Sequence, residues 1–553
     1  MAPRATNPLA PDWLTVPADA NELYSALWPM TTARSADGEL TIGGLTASAL
    51  AAEFGTPLYL IDETDVRSRA RALRTAFETA FARIGTTVRV YYAGKAFLST
   101  EIVRWMLAEG LNIDICSGGE LAVALAGGAP AARLGFHGNN KSLAEIDEAT
   151  RLGIGTIVID SPIEIERVAA AAARHGVVQS VRLRVNSGVH AHTHSFLATA
   201  HEDQKFGVVL EDAPRLVAAI RAHPRLDFKG LHCHIGSQIF GADGFAESAA
   251  RLLAVHADLL ADGPVPELNL GGGFGIAYTS ADTPTPIEEL AARIADIVAA
   301  ECAKRQIPIP AIAFEPGRAI IGSAGITLYE VGTTKPVQVA LPVVETVEAS
   351  VAVVEPVETS ATVIEPVETP LADTQATRLY VSVDGGMSDN ARPALYGADY
   401  SVRIANRSSD AAPALVRIAG KHCESGDILV DADYLPGDVV PGDLLAVPAT
   451  GAYCWSLSNN YNYLSRPPVV AVVDGTARIL IRGETIEDLL ARDTGISTDG
   501  VSTGSTAGSG SAHGVSTGST TEGSTGSTTA GSTGSTTGVS TSSTTANKKD
   551  SSR

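Results

Sequence analysis

Between residues 87 and 318 the chain repeats one pattern eight times: a short β-branched and aromatic run ending in Gly, Ser, Asn, Asp or a charged residue, then a longer Ala- and Leu-rich stretch with helical spacing. The runs are 88–95, 112–117, 133–139, 156–160, 181–186, 228–237, 267–274 and 311–318. Eight strand-then-helix units over about 230 residues predict a (β/α)8 barrel of the TIM type, in which function gathers at the C-terminal ends of the strands. The polar residues and glycines fall at those ends. A doubly wound sheet is the competing arrangement, but its glycine-rich fingerprint belongs in the first unit, and the glycine cluster here lies in the seventh.

Beyond the eighth unit the helical stretches give way to strand-like runs at 379–383, 414–418, 444–447 and 469–473, separated by Pro-Gly and Gly-Asp turns. This predicts a C-terminal antiparallel β-barrel or sandwich domain over 326–495, after a barrel domain over 62–325. Residues 1–61 read as a mixed segment packing against the β domain. Within 337–376 lies an acidic repeat, VVETVEASVA, VVEPVETSAT, VIEPVETP, with Glu345, Glu348, Glu355, Glu358, Glu365 and Glu368 and no basic residue. Three polar copies do not make a solenoid, so the expectation is an exposed, poorly ordered insertion in a loop. From about 496 to 553 the chain is nearly all Ser, Thr and Gly, which cannot bury enough apolar area to offset its ordering entropy, and a disordered tail is expected.

A net charge of −21 argues against nucleic acid or anionic membranes as partners, since both require clustered Lys and Arg. The first residues lack the apolar stretch of a signal peptide and no segment is apolar enough to span a bilayer, so a cytoplasmic protein is expected. The five cysteines, Cys116, Cys233, Cys302, Cys423 and Cys454, form no C-x-x-C pair and suggest neither a disulfide framework nor a zinc ribbon. Cys116, Cys302 and Cys454 read as packing residues.

The chemistry begins at Lys95, a lone lysine between small residues at the end of the first strand run. A primary amine held there can condense with a carbonyl cofactor, although a surface lysine ending a strand is the commoner arrangement. Gly271, Gly272 and Gly273 end the seventh run, where barrels often bind phosphate through backbone N–H groups. Glu315, Pro316, Gly317 and Arg318 end the eighth: a glutamate there can keep a pyridine nitrogen protonated, or can simply pair with the arginine to close the barrel. The stretch 232–238 (HCHIGSQ) supplies an imidazole for stacking and a hydroxyl for phosphate.

Taken in order, YAGKA at 92–96, HCHIGSQ, GGGFG at 271–275, EPGR at 315–318 and CESGD at 423–427 resemble the motif set of the alanine-racemase-like (fold type III) pyridoxal-phosphate decarboxylases, in the branch acting on diaminopimelate. The resemblance covers roughly residues 40–490 and implies pyridoxal 5′-phosphate as cofactor. It makes Lys95 the Schiff-base lysine and stacks His234 on the cofactor face. Ser237, Gly271 to Gly273 and Glu315 to Arg318 surround the cofactor, with Glu315 at the ring nitrogen and Tyr453 a further contact. Asp114, Glu120 and Arg184 match supporting positions. Arg318, Arg392 and Tyr396 hold the substrate's distal carboxylate, Glu424 takes its distal ammonium, Tyr453 also touches substrate, and Cys423 donates a proton. In this family the CESGD segment reaches the neighbouring subunit's site, so a homodimer with shared sites is implied.

The implied activity is decarboxylation of meso-2,6-diaminopimelate to L-lysine and carbon dioxide, the last step of lysine biosynthesis. Ornithine and arginine decarboxylases of the same fold handle no second carboxylate and resemble Cys-Asp where this chain has Cys423-Glu424; a racemase would place a catalytic tyrosine in the β domain. From a different class, a silent homologue that binds a partner would have lost Lys95, Glu315 or Cys423, and all three are present. His190, His192 and His194 alternate like metal ligands but have no acidic or cysteine partner nearby, so no metal is expected. The polar segment 137–142 (HGNNKS) ends the third run, where it could line the cavity, and receives no role.

Overall fold

Strand and helix begin to alternate at β1 (Leu58–Asp62), all five of whose residues are buried. The alternation continues through β2 (Val88–Ala93), β3 (Asn112–Ile115), β4 (Leu134–Phe136), β5 (Thr156–Ile159), β6 (Gln179–Asn186), β7 (Leu226–His232), β8 (Glu267–Asn269) and β9 (Ala311–Phe314). In this computed structural model, which describes residues 7–189, 205–341 and 375–495, β2 to β9 pair each with the next in parallel and β9 pairs with β2. That closes an eight-stranded barrel, one strand for each run in the sequence. The acidic repeat, the Ser/Thr/Gly tail and His190, His192 and His194 lie outside the described residues.

Local chemistry keeps the C-terminal rim of the barrel polar. The helix after β2 starts at Ser99, whose hydroxyl accepts the Ile102 N–H, and the helix after β4 opens on a capping box in which Ser142 and Glu145 satisfy each other's backbone. Below the rim, Phe77 of the helix Glu63–Arg83 packs 4.0 Å from Phe314, and Phe245 stacks on Phe274 at 5.2 Å, pinning the ends of the last two strands.

The β domain is organised around one long strand, β10 (Gly325–Ala340). Its first half pairs antiparallel with β1 and with β14 (Leu444–Pro448); its second half pairs with β11 (Gln375–Val383). β11 continues to β12 (Pro413–Ala419) in parallel and thence to β13 (Ile428–Pro436), while β1 pairs in parallel with β15 (Val469–Val473), which turns into β16 (Thr476–Ile481). The sheet is therefore mainly antiparallel with two parallel joints. One of them stitches the N-terminal strand β1 between β10 and β15. Val337 to Ala340 and Gln375 to Ala376, inside the span assigned to the acidic insertion, are paired residues of the β10–β11 ladder, with Ala340 opposite Gln375. Backbone pairing thus reaches the edge of the described residues on both sides of the repeat.

Candidate active site

A cavity of about 520 Å³ opens at the C-terminal ends of the barrel strands and is completed by residues of the β domain. Lys95 projects into it from the single turn Gly94–Ala96 that follows β2, and is the one exposed residue between buried Gly94 and Ala96. Gly94 is required there because a Cβ would come 2.8 Å from the Asp114 carbonyl of the neighbouring strand.

On the neighbouring strand of the barrel, Glu315 follows β9 directly. Its Oε1 accepts from Asn269 Nδ2 at 2.6 Å and its Oε2 lies 3.0 Å from His232 Nε2, with His137 Nε2 3.3 Å away. Burial opposes the charge on Glu315, but the two imidazoles outweigh it and hold the carboxyl well below its usual range. Since an ionised carboxylate only accepts, His232 must donate from Nε2, and burial keeps that ring neutral by lowering its pKa to about 4. The ligand atoms of His137, His232 and Glu315 lie within 4.8 Å of one another. With its oxygens already taken by N–H donors, the cluster reads as a hydrogen-bonded support for Glu315.

His234 accepts the Gly272 N–H on Nδ1 at 3.2 Å, which fixes its tautomer, and burial together with Lys95 pushes its pKa well down. A neutral imidazole facing Lys95 suits stacking on an aromatic ring. Ser237 accepts from Arg318 Nη2 at 2.9 Å. Of the glycine triplet only Gly273 lines the cavity. The Gly271 N–H donates to Asn269 Oδ1 and the Gly272 N–H to His234, and a Cβ at either would strike the backbone of Cys233 or Glu315. These two glycines are thus needed for close packing of strand ends, and Pro316 too lies off the cavity wall while Gly317 and Arg318 line it.

In the wall of the same cavity the structure joins two arginines that are 74 residues apart in sequence. Arg318 donates to the Tyr278 hydroxyl and Arg392 to the Tyr400 hydroxyl, and both guanidiniums lie against the Tyr278 ring, at 5.5 and 4.4 Å. Both are buried, and neither has a carboxylate partner among the described residues. Tyr396 and Tyr453 line the same cavity, with Arg318 4.8 Å over the Tyr453 ring. The hydroxyl bonded to Arg392 belongs to Tyr400, not Tyr396: one helical turn from Arg392 the short helix Arg392–Tyr396 has ended, and the chain turns back to bury Tyr400.

Asp114 and Arg184 also line the cavity, Arg184 against the Phe206 ring, whereas Glu120 sits behind it. Cys116, read as a packing residue, instead opens onto the cavity because β3 ends one residue before it; Cys302 and Cys454 are buried. Cys423 and Glu424 do not line the cavity of their own chain. They stand exposed on a loop whose two ends are locked by Asp427, which is buried and accepts from the His422 and Met387 backbones and from His422 Nδ1. Sequence reading passed over Asn269, Tyr278, Tyr400 and the support given by His137 and His232.

A reactive amine, a carboxylate held ionised and a buried neutral imidazole around one cavity are the donor set that a phosphorylated pyridine aldehyde requires, and these residues fit it. Comparison with known proteins agrees. Residues 63–322 match the family model "Pyridoxal-dependent decarboxylase, pyridoxal binding domain". The chain is 48% identical over 473 residues to diaminopimelate decarboxylase of Mycobacterium tuberculosis, spanning 84% of this chain and 97% of that one.

The chain belongs to the diaminopimelate decarboxylase family.

The family member of Bacillus subtilis is 40% identical over 473 residues, 85% of this chain and 98% of that one. The crystal structure of the M. jannaschii family member in complex with L-lysine superimposes with a TM-score of 0.72 at 29% identity, covering 84% of this chain and 98% of that one. The protein is thus a decarboxylase with pyridoxal 5′-phosphate as cofactor. No helix among the described residues is long and apolar enough to cross a membrane.

The cavity wall between β4 and β5 is held by a buried ion pair. Lys141 Nζ donates to the Gly138 and Val158 carbonyls at 2.7 and 2.8 Å and to Glu164 at 3.0 Å. Replacing Lys141 with Met leaves Glu164 buried without its cation, and a loss of about 3 kcal/mol in urea unfolding is expected. An unchanged midpoint would mean that Glu164 finds another partner or a proton.

Proposed function

We propose that the chain decarboxylates meso-2,6-diaminopimelate to L-lysine and carbon dioxide, as a cytoplasmic homodimer with shared active sites. The observation that carries this reading is the pair Arg318 and Arg392: two buried guanidiniums in the wall of the cavity that Lys95 enters, with no carboxylate partner among the described residues. Burying a cation without an anion is costly, and the cost is recovered when a substrate supplies the carboxylate. A distal carboxylate that must be bound but not lost suits two arginine forks backed by phenols. Ornithine or arginine would bring a second cation to the same place.

Bound at Lys95, pyridoxal phosphate supplies the electron sink for loss of carbon dioxide. The rest falls to the chain. Lys95 is the amine that would hold the cofactor and yield it to substrate; Glu315 would face the ring nitrogen and His234 the ring, while Ser237, Gly273 and Tyr453 bound the pocket. Arg318 and Arg392, with Tyr396, orient the substrate so that the carboxylate lost is the one nearest Lys95. Cys423 then returns a proton to the reacting carbon, and Glu424 takes the distal ammonium. In this reading both reach a partner's cavity from the exposed, internally braced loop, which accounts for their distance from their own.

The test is incubation of the holoenzyme with meso-diaminopimelate, its L,L isomer, ornithine and arginine, measuring carbon dioxide and amine product. Lysine from the meso isomer alone is expected. Turnover of ornithine or arginine only would overturn the role given to Arg318 and Arg392.

A further inference from the structure

The segment 137–142, which follows β4, is built into the wall of the site. The His137 N–H donates to the Ile115 carbonyl at 2.8 Å and Lys141 ties the loop down from below, so the His137 ring has little freedom. Its Nε2 lies 3.3 Å from Asp114 and 3.3 Å from Glu315, and its edge meets the His232 ring at 5.0 Å. We propose that His137 is a positioning residue for the cofactor: a buried imidazolium wedged between Asp114 and Glu315 that keeps Glu315 ionised toward the ring nitrogen.

Two carboxylates in one dry pocket cannot both stay charged without a cation, because each raises the other's proton affinity. Asp114 feels this directly, burial and Glu315 raising its pKa to about 6. His137 is the cation that touches both: burial disfavours its charge, but Glu315 and Asp114 outweigh burial and raise its pKa to about 9. Among the described residues, the other charged groups nearest these carboxylates are Glu120 from the helix after β3, Arg182 and Arg184 from β6, and Lys95 from the turn after β2, with Arg318 and Arg392 elsewhere in the cavity wall; His232 from β7 is held neutral. With Asp114 and Glu315 charged, His137 and the ring N–H balance them. Without His137 one carboxyl takes a proton, and when that one is Glu315 the ring nitrogen loses its acceptor. Because the folded pKa of His137 is raised, its charge is kept until pH rises through about 9, while Asp114 takes a proton as pH falls through about 6, so the arrangement is intact between those two values.

This inference rests on Glu315 facing the ring nitrogen, so Glu315→Gln is measured beside it. Apoprotein of the wild type, Glu315→Gln, His137→Gln, Asp114→Asn and the His137→Gln/Asp114→Asn double variant is titrated with pyridoxal phosphate. His137→Gln is expected to weaken binding about tenfold or more, the worth of a charge-assisted contact, and Asp114→Asn added to it is expected to restore most of that loss. Wild-type affinity in His137→Gln, or losses that simply add in the double variant, would overturn the inference. If Glu315→Gln leaves affinity and cofactor absorbance unchanged, the placement of Glu315 has failed instead. Should His137→Gln not fold, the intact holoenzyme decides through its ¹³C-labelled imidazole signals: one buried histidine still protonated at pH 8 is expected, and none is the contrary result.

Discussion

Lys95→Ala protein is expected to lose about four orders of magnitude in kcat, and Cys423→Ala two or more, yet co-expressing the two is expected to restore activity. Among the described residues Lys95 is the only amine that lines the cavity, so none of them would replace it as the group proposed to hold the cofactor and yield it to substrate. Cys423 is exposed and absent from its own chain's cavity. If it serves the partner's site, each mixed dimer has one site with both residues intact and one with neither. Random pairing makes half the dimers mixed, so recovery should approach about a quarter of wild-type activity in a two-fold assembly. The measurement is lysine production by the co-expressed pool and by affinity-purified mixed dimers carrying a different tag on each chain, in which every dimer is mixed and recovery should approach about half. No recovery in such dimers would place Cys423 and Lys95 in the same site or remove Cys423 from the reaction.

Arg392→Met is expected to reduce kcat/KM for the dicarboxylate by two to three orders of magnitude, as removal of one partner of a desolvated charge pair does, on the order of 3–4 kcal/mol. The same change should leave thermal stability unaltered or raise it. Arg392 is buried with no carboxylate partner among the described residues, held by Tyr400 and lying over Tyr278, so the folded protein without substrate bears the cost of an uncompensated charge that methionine does not. Arg392→Lys keeps the charge but not the fork and should recover little. Steady-state kinetics and a thermal unfolding scan on one preparation decide the matter. A melting point lowered by several degrees with KM unchanged would make Arg392 a structural residue.

The residues that were legible in the chain are those whose chemistry is local. Lys95 and Glu315 could be placed because each follows its strand by one or two residues, where a barrel puts its working groups. The loop carrying Cys423 was readable as a motif, and its Asp427 is the residue that braces it. Tyr278 was invisible: it lies four residues past Phe274 in an irregular stretch, and its importance arises only where two guanidiniums from different domains meet its ring. His137 stood in a polar segment with no sign that Glu315, 178 residues later, would come within 3.3 Å.

The sequence by itself determined the number and order of the strand-helix units, the rim on which the site lies and the types of group that do its chemistry. These follow from side-chain period and from which residues can end a strand, and both are read over a few neighbouring positions. Only the tertiary structure decided that β1 joins the β domain between β10 and β15, that Arg318 and Arg392 share Tyr278, and that His137 and His232 support one carboxylate. Those pairings join residues far apart in the chain. Their energies come from burial, charge and close packing, which exist only once the barrel has closed and brought them together.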